Sequence, residues 1–355
     1  MSDHVLVVAF PAFSDGDLNP YNSLLYSHMQ AQGQPVLEFG WRRVVELHLP
    51  DVLHLHWPER QILAPGWRPR KIAEFVLFQV YLRAIRWRGG KVIWTAHNAF
   101  SHDKPRTALN VFLWKRFLSM LDGVIHLSGE SRQRINAEYP VLKHKKSAVI
   151  RHGDYIEWLS KVTAPSQRDA PSRQSLGIPL HAPVLLSFGL IRPYKGIDRL
   201  VEEFKLVDGD VHLIIAGYTS NEELRNRILQ LAGDHPNIHC LLRWMKDGEL
   251  IALLDLSDAA VLPYREVTNS GAAVLALSAQ RPILGPNMGS LPELQQLAGP
   301  DWVRLYDGRI SRAHIMEALT WMRAPRGPLN MQPFSWEAIA AETIGFYRAV
   351  TPSKG

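Results

Sequence analysis

The sequence predicts an α/β protein of two successive parallel-sheet domains, with a final helix that returns to the first. Three observations predict it. Short apolar runs alternate with helix-length amphipathic stretches along the 355 residues, which is the rhythm of βα units. The rhythm breaks once, at 161–182, in a stretch rich in Pro, Ser and charge, the composition of an interdomain linker. Hydrophobic residues make up 46% of the chain and charged residues 21%, enough apolar surface to build a core in each domain.

In the first domain, 1–160, strands are expected at 5–9, 52–55, 92–95, 123–127 and 148–151, with helices at 20–32, 71–88, 107–121 and 130–138. In the second, 183–330, strands are expected at 183–188, 211–216, 237–242, 258–262 and 282–285. Its helices are expected at 195–205, 221–232, 247–255, 270–280, 290–297 and 311–323. The segment 331–355 carries a last helical stretch after Pro328 and Pro333, expected to pack on the first domain. Both domains read as Rossmann-like and are expected to face a central cleft. In open α/β sheets, ligands lie beyond the carboxyl ends of the strands, where helix N-termini offer unpaired N–H groups. Functional residues should therefore stand just after strands.

Composition narrows the classes. Cys240 is the only cysteine, which excludes an intrachain disulfide and a cysteine-based zinc site. The N-terminus, MSDHVLVVAF, lacks the basic region of a secretory signal. No apolar run approaches the ~20 residues that a membrane span needs, so a cytoplasmic protein is expected. The net charge is +6, which favours phosphorylated ligands, anionic membrane or nucleic acid. The charge is local. Arg68, Arg70, Lys71, Arg83, Arg86, Arg88 and Lys91 face Glu74 alone within 67–91, an excess equal to that of the whole chain. Phe75, Phe78, Tyr81, Leu82, Ile85 and Trp87 interleave with these cations. Basic amphipathic helices of this kind lie on anionic membranes, and the neighbouring Phe112–Phe117 stretch could extend the patch. Peripheral association with the inner face of the plasma membrane is the expectation. No zinc module, RNP-like strand or basic arm is present, so nucleic acid is not expected as a partner.

Two segments of the second domain carry the chemistry. Ser187-Phe188-Gly189 ends a strand, and Arg192 and Lys195 follow at the start of a helix. Gly189 permits close backbone approach, Arg forks onto two phosphate oxygens, and Lys adds a point charge. Leu262-Pro263-Tyr264 ends another strand, and Asn269-Ser270-Gly271 opens a small-residue helix whose N–H groups suit an anion. The nucleobase is expected against loops carrying Gly217, Tyr218, Arg243 and Trp244. Asp15-Gly16-Asp17 and Asp208-Gly209-Asp210 are read as turn chemistry rather than metal sites.

The order and spacing of these segments resemble the donor-binding half of the GT-B glycosyltransferases. Within that superfamily the chain is similar to the bacterial exopolysaccharide β-mannosyltransferases of the xanthan type. The matching text is FGLIRPYKG at 188–196, LPY and NSG within 262–271, LALS at 275–278, and Gly299-Pro300, Trp302-Val303, Leu305-Tyr306 and Gly308, with APRGP at 324–328. In the first domain it is NPY at 19–21, LY at 25–26, DVLHLHWPE at 51–59 and HN at 97–98. The resemblance implies transfer of mannose from GDP-mannose to a polyprenyl-diphosphate-linked oligosaccharide, with inversion. Arg192 and Lys195 can do a metal's electrostatic work, so no metal or other cofactor is expected. Many retaining GT-B enzymes carry two Glu residues eight positions apart; Thr268 and Ala276 stand there instead, which supports the inverting group.

An inverting transfer needs a general base for the acceptor hydroxyl, expected from the first domain. Glu59 lies just past a strand, beside Pro58. Asp103 occupies a position where the resembling family has an acid. His97 has an ordinary pKa near working pH. Asp103 and Glu59 rank above His97, which is better placed to touch the donor sugar or phosphates. Asn19, Tyr21, Trp57 and Asn98 are assigned to the acceptor site, and His152 to the donor side with Tyr264. Two alternatives remain: a GT-B transferase using another donor, a UDP- or dTDP-sugar, or a GT-B-type sugar-nucleotide epimerase.

Overall fold

The computed structural model describes residues 5–14, 19–46, 48–63, 69–100, 106–162 and 171–351. Contacts divide the chain into two units, Met1–Gly153 with Phe334–Gly355, and Asp154–Pro333.

The first unit runs β1 (Val7–Phe10), α1 (Tyr21–Ala31), β2 (Val36–Glu38), α2 (Trp41–Val45), β3 (Val52–Leu55), α3 (Glu59–Ile62), α4 (Pro69–Trp87), β4 (Lys91–Ala96), α5 (Ala108–Met120), β5 (Gly123–His126), α6 (Gly129–Glu138) and β6 (Lys146–Val149). The second runs α7 (Ile156–Lys161), β7 (Val184–Phe188), α8 (Ile197–Phe204), β8 (His212–Ala216), α9 (Glu222–Ala232), β9 (Ile238–Leu241), α10 (Asp247–Leu256), β10 (Ala259–Val261), α11 (Gly271–Ser278), β11 (Ile283–Pro286), α12 (Leu291–Ala298), β12 (Val303–Tyr306) and α13 (Arg312–Trp321). The chain then returns to the first unit as α14 (Trp336–Val350).

Each unit holds a six-stranded parallel sheet, ordered β2-β1-β3-β4-β5-β6 in the first and β12-β11-β10-β7-β8-β9 in the second. Strands β3, β5, β7 and β8 are buried along their whole length, as expected for sheets covered on both faces. In the first unit the chain steps one way from β3 to β6. Right-handed crossovers then put α4, α5 and α6 on one face, over a core of Leu53, Leu55, Phe78, Tyr81, Trp94, Trp114 and Phe117. The step from β1 back to β2 puts α1 on the other face, where α14 packs against it. Where the chain leaves this unit, Gly153 lies flat against the Trp336 ring; a Cβ there would sit 2.3 Å from it.

Several details differ from the sequence expectation. Strands β2 and β12 and helices α2, α3 and α7 were not expected: β2 is three residues long, and α2, α3 and α7 span at most two turns, too short for periodicity to register. The boundary falls at Gly153, ahead of the 161–182 stretch. By Arg173 the chain is already tied into the second unit. That guanidinium donates to the carbonyls of Ala182 (2.6 Å) and Leu256 (2.9 Å) and contacts Asp258 at 3.3 Å.

Helix α4 also sorts its side chains differently. Phe78, Tyr81, Leu82 and Ile85 face the sheet; the apolar groups left exposed are Ile72, Val76, Leu77, Val80 and Trp87. On α5, Trp114 and Phe117 are core, whereas Leu109 and Phe112 are exposed. Among the described residues, no helix is long and apolar enough to cross a membrane.

Candidate functional site

The second sheet reverses its strand order between β7 and β10, the point where open α/β sheets bind ligands. The two segments singled out in the sequence leave these two strands. After β7 come Gly189 to Arg192, then a 3-10 turn, Pro193–Lys195, leading into α8. After β10 come Leu262 to Ser270, leading into α11. Backbone bonds lash the loops together: Gly189 N–H to Ala216 O (3.0 Å), Ile191 N–H to Tyr218 O (2.8 Å) and Arg265 N–H to Tyr194 O (2.7 Å). The β7 and β8 loops touch so closely that only glycine fits at 217. Its φ is 151°, and a Cβ would lie 2.0 Å from Gly189 O.

Lys195 Nζ stands 3.5 Å from Phe188 O and 5.9 Å from the centre of the Tyr264 ring. Burial, aided by the Arg192 charge, pulls its pKa down to about 8. It is still mostly protonated at neutral pH but poorly hydrated, so an incoming anion gains much from it. Arg265 Nη2 donates to both carboxylate oxygens of Asp198, at 2.7 and 2.8 Å, an ion pair that braces the β10 loop against α8. Ser270 is the N-cap of α11: its hydroxyl accepts from Ala273 N–H at 3.2 Å and bonds the buried Tyr264 hydroxyl at 2.9 Å. Both side chains are thus spent on holding the loop, and what this helix start can offer a ligand is backbone N–H and the neighbouring Asn269. Tyr218 and Trp244 form an exposed, tilted pair with centroids 6.4 Å apart. Arg243, assigned to the base, is clamped instead by Glu249 at 2.5 and 2.9 Å, because α10 presents that carboxylate in its first turn. Asp208 is held by Arg312 at 2.5 Å and Asp210 contacts His212 at 3.1 Å.

In the first unit, alternation along β3 and β4 sends Leu53, Leu55, Val92 and Trp94 to the α4 face. His54, His56, Thr95 and His97 therefore share the α1 face. There they join Tyr26 of α1 and Tyr347 of α14. His54 contacts Tyr26, Tyr347 and Thr95, and His56 contacts Tyr26 and His97. Trp57 stacks on His97 with centroids 4.3 Å apart. His152, just past β6, shares its Nδ1 proton with the Gly153 carbonyl at 2.8 Å. Desolvation lowers the pKa of His54 to about 3 and of His152 to about 4, and holds His56 and His97 well below the usual imidazole range.

Tyr21, assigned to the acceptor, is enclosed. Its ring packs edge-on against His56, His97, His152 and Trp336, with Trp336 supplied by the returning helix. Asn19 Oδ1 accepts from Tyr21 N–H at 3.1 Å and shapes the start of α1. Trp57, Glu59, His97 and Asn98 sit directly beyond β3 and β4. A depressed pKa makes His97 a weaker base than its free value suggested. Asp103 lies outside the described residues. Thr95 and Tyr347 are not singled out in the sequence, and Tyr26 and His54 stand there only within matching text and without a role, although the alternation Leu-His-Leu-His at 53–56 places both imidazoles on one face.

Two parallel α/β units, one with a cation-bearing turn and a helix start at its switch point, define a protein of the GT-B glycosyltransferase class. Residues 182–305 match the family model described as "Glycosyl transferases group 1". The chain is 31% identical over 318 residues to GDP-mannose:glycolipid 4-beta-D-mannosyltransferase of Xanthomonas campestris pv. campestris, covering 88% of this chain and 83% of the relative. It is 22% identical to alpha-maltose-1-phosphate synthase of Mycolicibacterium smegmatis over 65% of this chain and 64% of that one. Solved structures share the fold. A glycosyltransferase from Rickettsia africae superposes with a TM-score of 0.67 at 14% identity, with all of both chains covered. Sucrose-phosphate synthase from Thermosynechococcus elongatus superposes with a TM-score of 0.65 at 18% identity, covering 98% and 99%. The chain belongs to the glycosyltransferase family of the Xanthomonas enzyme and is a hexosyltransferase.

Proposed function

We propose that this glycosyltransferase moves mannose from GDP-mannose, with inversion, onto a polyprenyl-diphosphate-linked oligosaccharide in exopolysaccharide synthesis. The observation that carries the reading is the 31% identity with a GDP-mannose:glycolipid mannosyltransferase, sustained over 88% of the chain. The donor's diphosphate sits on Arg192, Lys195 and the N–H groups at Asn269–Gly271, and its base lies against Tyr218 and Trp244. His97, with His152, contacts the sugar or phosphates. Glu59 and Asp103 are the candidate bases, and Trp57 and Asn98 line the acceptor. The cations replace a metal, so EDTA leaves turnover unchanged.

A thermal-shift panel of GDP-, UDP- and dTDP-sugars tests the donor, since a ligand bound only by the folded state raises its apparent stability. Stabilisation by GDP-mannose is expected; stabilisation by a UDP- or dTDP-sugar alone overturns the donor. Consumption of GDP-mannose must also require a glycolipid acceptor. Isomerised sugar nucleotide formed without an acceptor identifies an epimerase instead.

The acceptor's lipid places the enzyme at an anionic membrane surface. The apolar groups exposed on α4, Val76 (51%), Val80 (52%) and Trp87 (88%), lie on the same helix as Arg70, Lys71, Arg83 and Arg86 and suit interfacial docking. Co-sedimentation with anionic but not zwitterionic vesicles is expected, and its loss in Val76→Asp/Val80→Asp.

A further inference from the structure

A continuous hydrogen-bonded chain runs across the α1 face of the first sheet. Tyr347 Oη lies 2.6 Å from His54 Nδ1, and Tyr26 Oη lies 2.8 Å from the same nitrogen. His54 Nε2 meets Thr95 Oγ1 at 2.8 Å. Tyr26 Oη also meets His56 Nε2 at 2.5 Å, and His56 Nδ1 meets His97 Nε2 at 3.0 Å. Helix α14, helix α1, β3 and β4 each contribute a member.

A neutral imidazole has one N–H and one in-plane lone pair. Burial keeps His54, His56 and His97 neutral near pH 7. Each contact then fixes its neighbour. His54 Nδ1 faces two phenol oxygens at once. One lone pair serves one donor well, whereas one N–H can be shared between two oxygens. The arrangement without a doubly used lone pair has His54 donating from Nδ1 to both tyrosines and accepting from Thr95 at Nε2. The two phenols are also hydrogen-bonded to each other; every contact then holds one proton only if Tyr347 donates to Tyr26 and Tyr26 donates to His56 Nε2. His56 must then carry its proton on Nδ1 and donate to His97 Nε2. The remaining proton of His97 is on Nδ1.

We infer that this chain holds His97 in its Nδ1–H tautomer, and that Tyr347, His54, Tyr26 and His56 are positioning residues for it. With Nε2 accepting from His56 and its proton on Nδ1, His97 keeps no lone pair for taking a proton, and is not the general base. This consequence for turnover rests on the proposed glycosyl transfer; the tautomer itself does not. The returning helix thus reaches the candidate site through the Tyr347 hydroxyl.

Long-range 15N–1H correlation spectra of the full chain with 15N-labelled histidine read each ring's tautomer without any substrate. Nδ1–H is expected for His54, His56 and His97. In Tyr26→Phe, which keeps the ring and removes the link, His97 should become a mixture of tautomers. Nε2–H at His97 in the wild-type protein overturns the inference, and so does a His97 signal unchanged in Tyr26→Phe. If Tyr26→Phe does not fold, the wild-type spectrum decides alone. With GDP-mannose and glycolipid, Tyr347→Phe and Tyr26→Phe should each lower kcat by about five- to tenfold with the donor KM within about twofold. Their double variant should lose less than the product of the two, because both act through one chain. Unchanged kcat in both variants, with wild-type turnover measurable, removes their positioning role. Absent wild-type turnover indicts the donor or acceptor assignment and leaves the spectra to judge the tautomer.

Discussion

The two units place their candidate groups in the same position, just past parallel strands, yet equip it oppositely. The second unit offers charge on short contiguous loops: Lys195 and Arg192 after β7, and a helix start after β10. The first offers uncharged rings bonded to one another and drawn from β3, β4, α1 and α14. A contiguous turn can carry an anion site because backbone N–H groups and one or two cations suffice. Fixing the direction of a neutral donor requires partners, and partners come from elsewhere in the chain.

Acid should break the comparison most forcefully, because five of the imidazoles held low by burial, His54, His56, His97, His126 and His152, belong to the first unit and only His239 to the second, among the described residues. His54 and His126 are fully buried, and burial lowers their pKa to about 3 and about 4. Both folded values lie below that of the unfolded chain, so the unfolded state binds more protons as pH falls. Stability is intact above about pH 6.5 and is lost progressively towards pH 3–4, by about 2 kcal/mol for each of these groups at pH 5. Hydrogen exchange at pH 7 and pH 5 should show β3 and β5 losing protection well before β7 and β8. Equal loss in both units would dissolve the contrast.

Next in size is Lys195→Met. Losing a charge-assisted bond weakens binding of a nucleoside diphosphate by about 1.5–3 kcal/mol, read by calorimetry, and leaves the first unit's histidine signals unmoved. Because its free-state pKa is lowered to about 8, wild-type affinity should decline as pH rises past that value. A flat profile from pH 7 to 9 would show that Lys195 does not meet the phosphates.

Tyr264→Phe sharpens the comparison at finer grain. It removes the bond to Ser270 but keeps the ring beside Lys195, so a cost of about 0.5–1.5 kcal/mol in stability is expected, measured by denaturant titration. The smallest effect belongs to Asp208→Asn. Its partner Arg312 and Asp208 itself are 48% and 85% exposed, and exposed pairs contribute about 0–1 kcal/mol. Nucleotide affinity should not change; a loss restored by added divalent cation would reopen a metal role for 208–210.

The same contrast explains what could be read from the sequence. The βα rhythm and the loop 188–196 are local patterns, and the structure places that loop at a switch point. The helix start at Ser270 was legible too. The enclosure of Tyr21 was not, because His152 and Trp336 converge on it through tertiary folding; the Arg243–Glu249 pair spans only six residues and was overlooked as a local contact of α10. Strand β2 is three residues long, and β12 is broken by the exposed Arg304, so neither shows a clear apolar run. Tyr347 lies 293 positions from His54, and nothing in either segment alone announces the pairing.

The close packing of Gly153 on Trp336 marks where the first unit is interrupted, and it bears on the order of synthesis. The ribosome completes β1 to β6 long before it makes α14. Until then Tyr21 lacks the indole that covers it, and His54 lacks the Tyr347 hydroxyl. The half of the protein that is translated first therefore cannot complete its packing until its last helix has been made, after the intervening unit has already emerged.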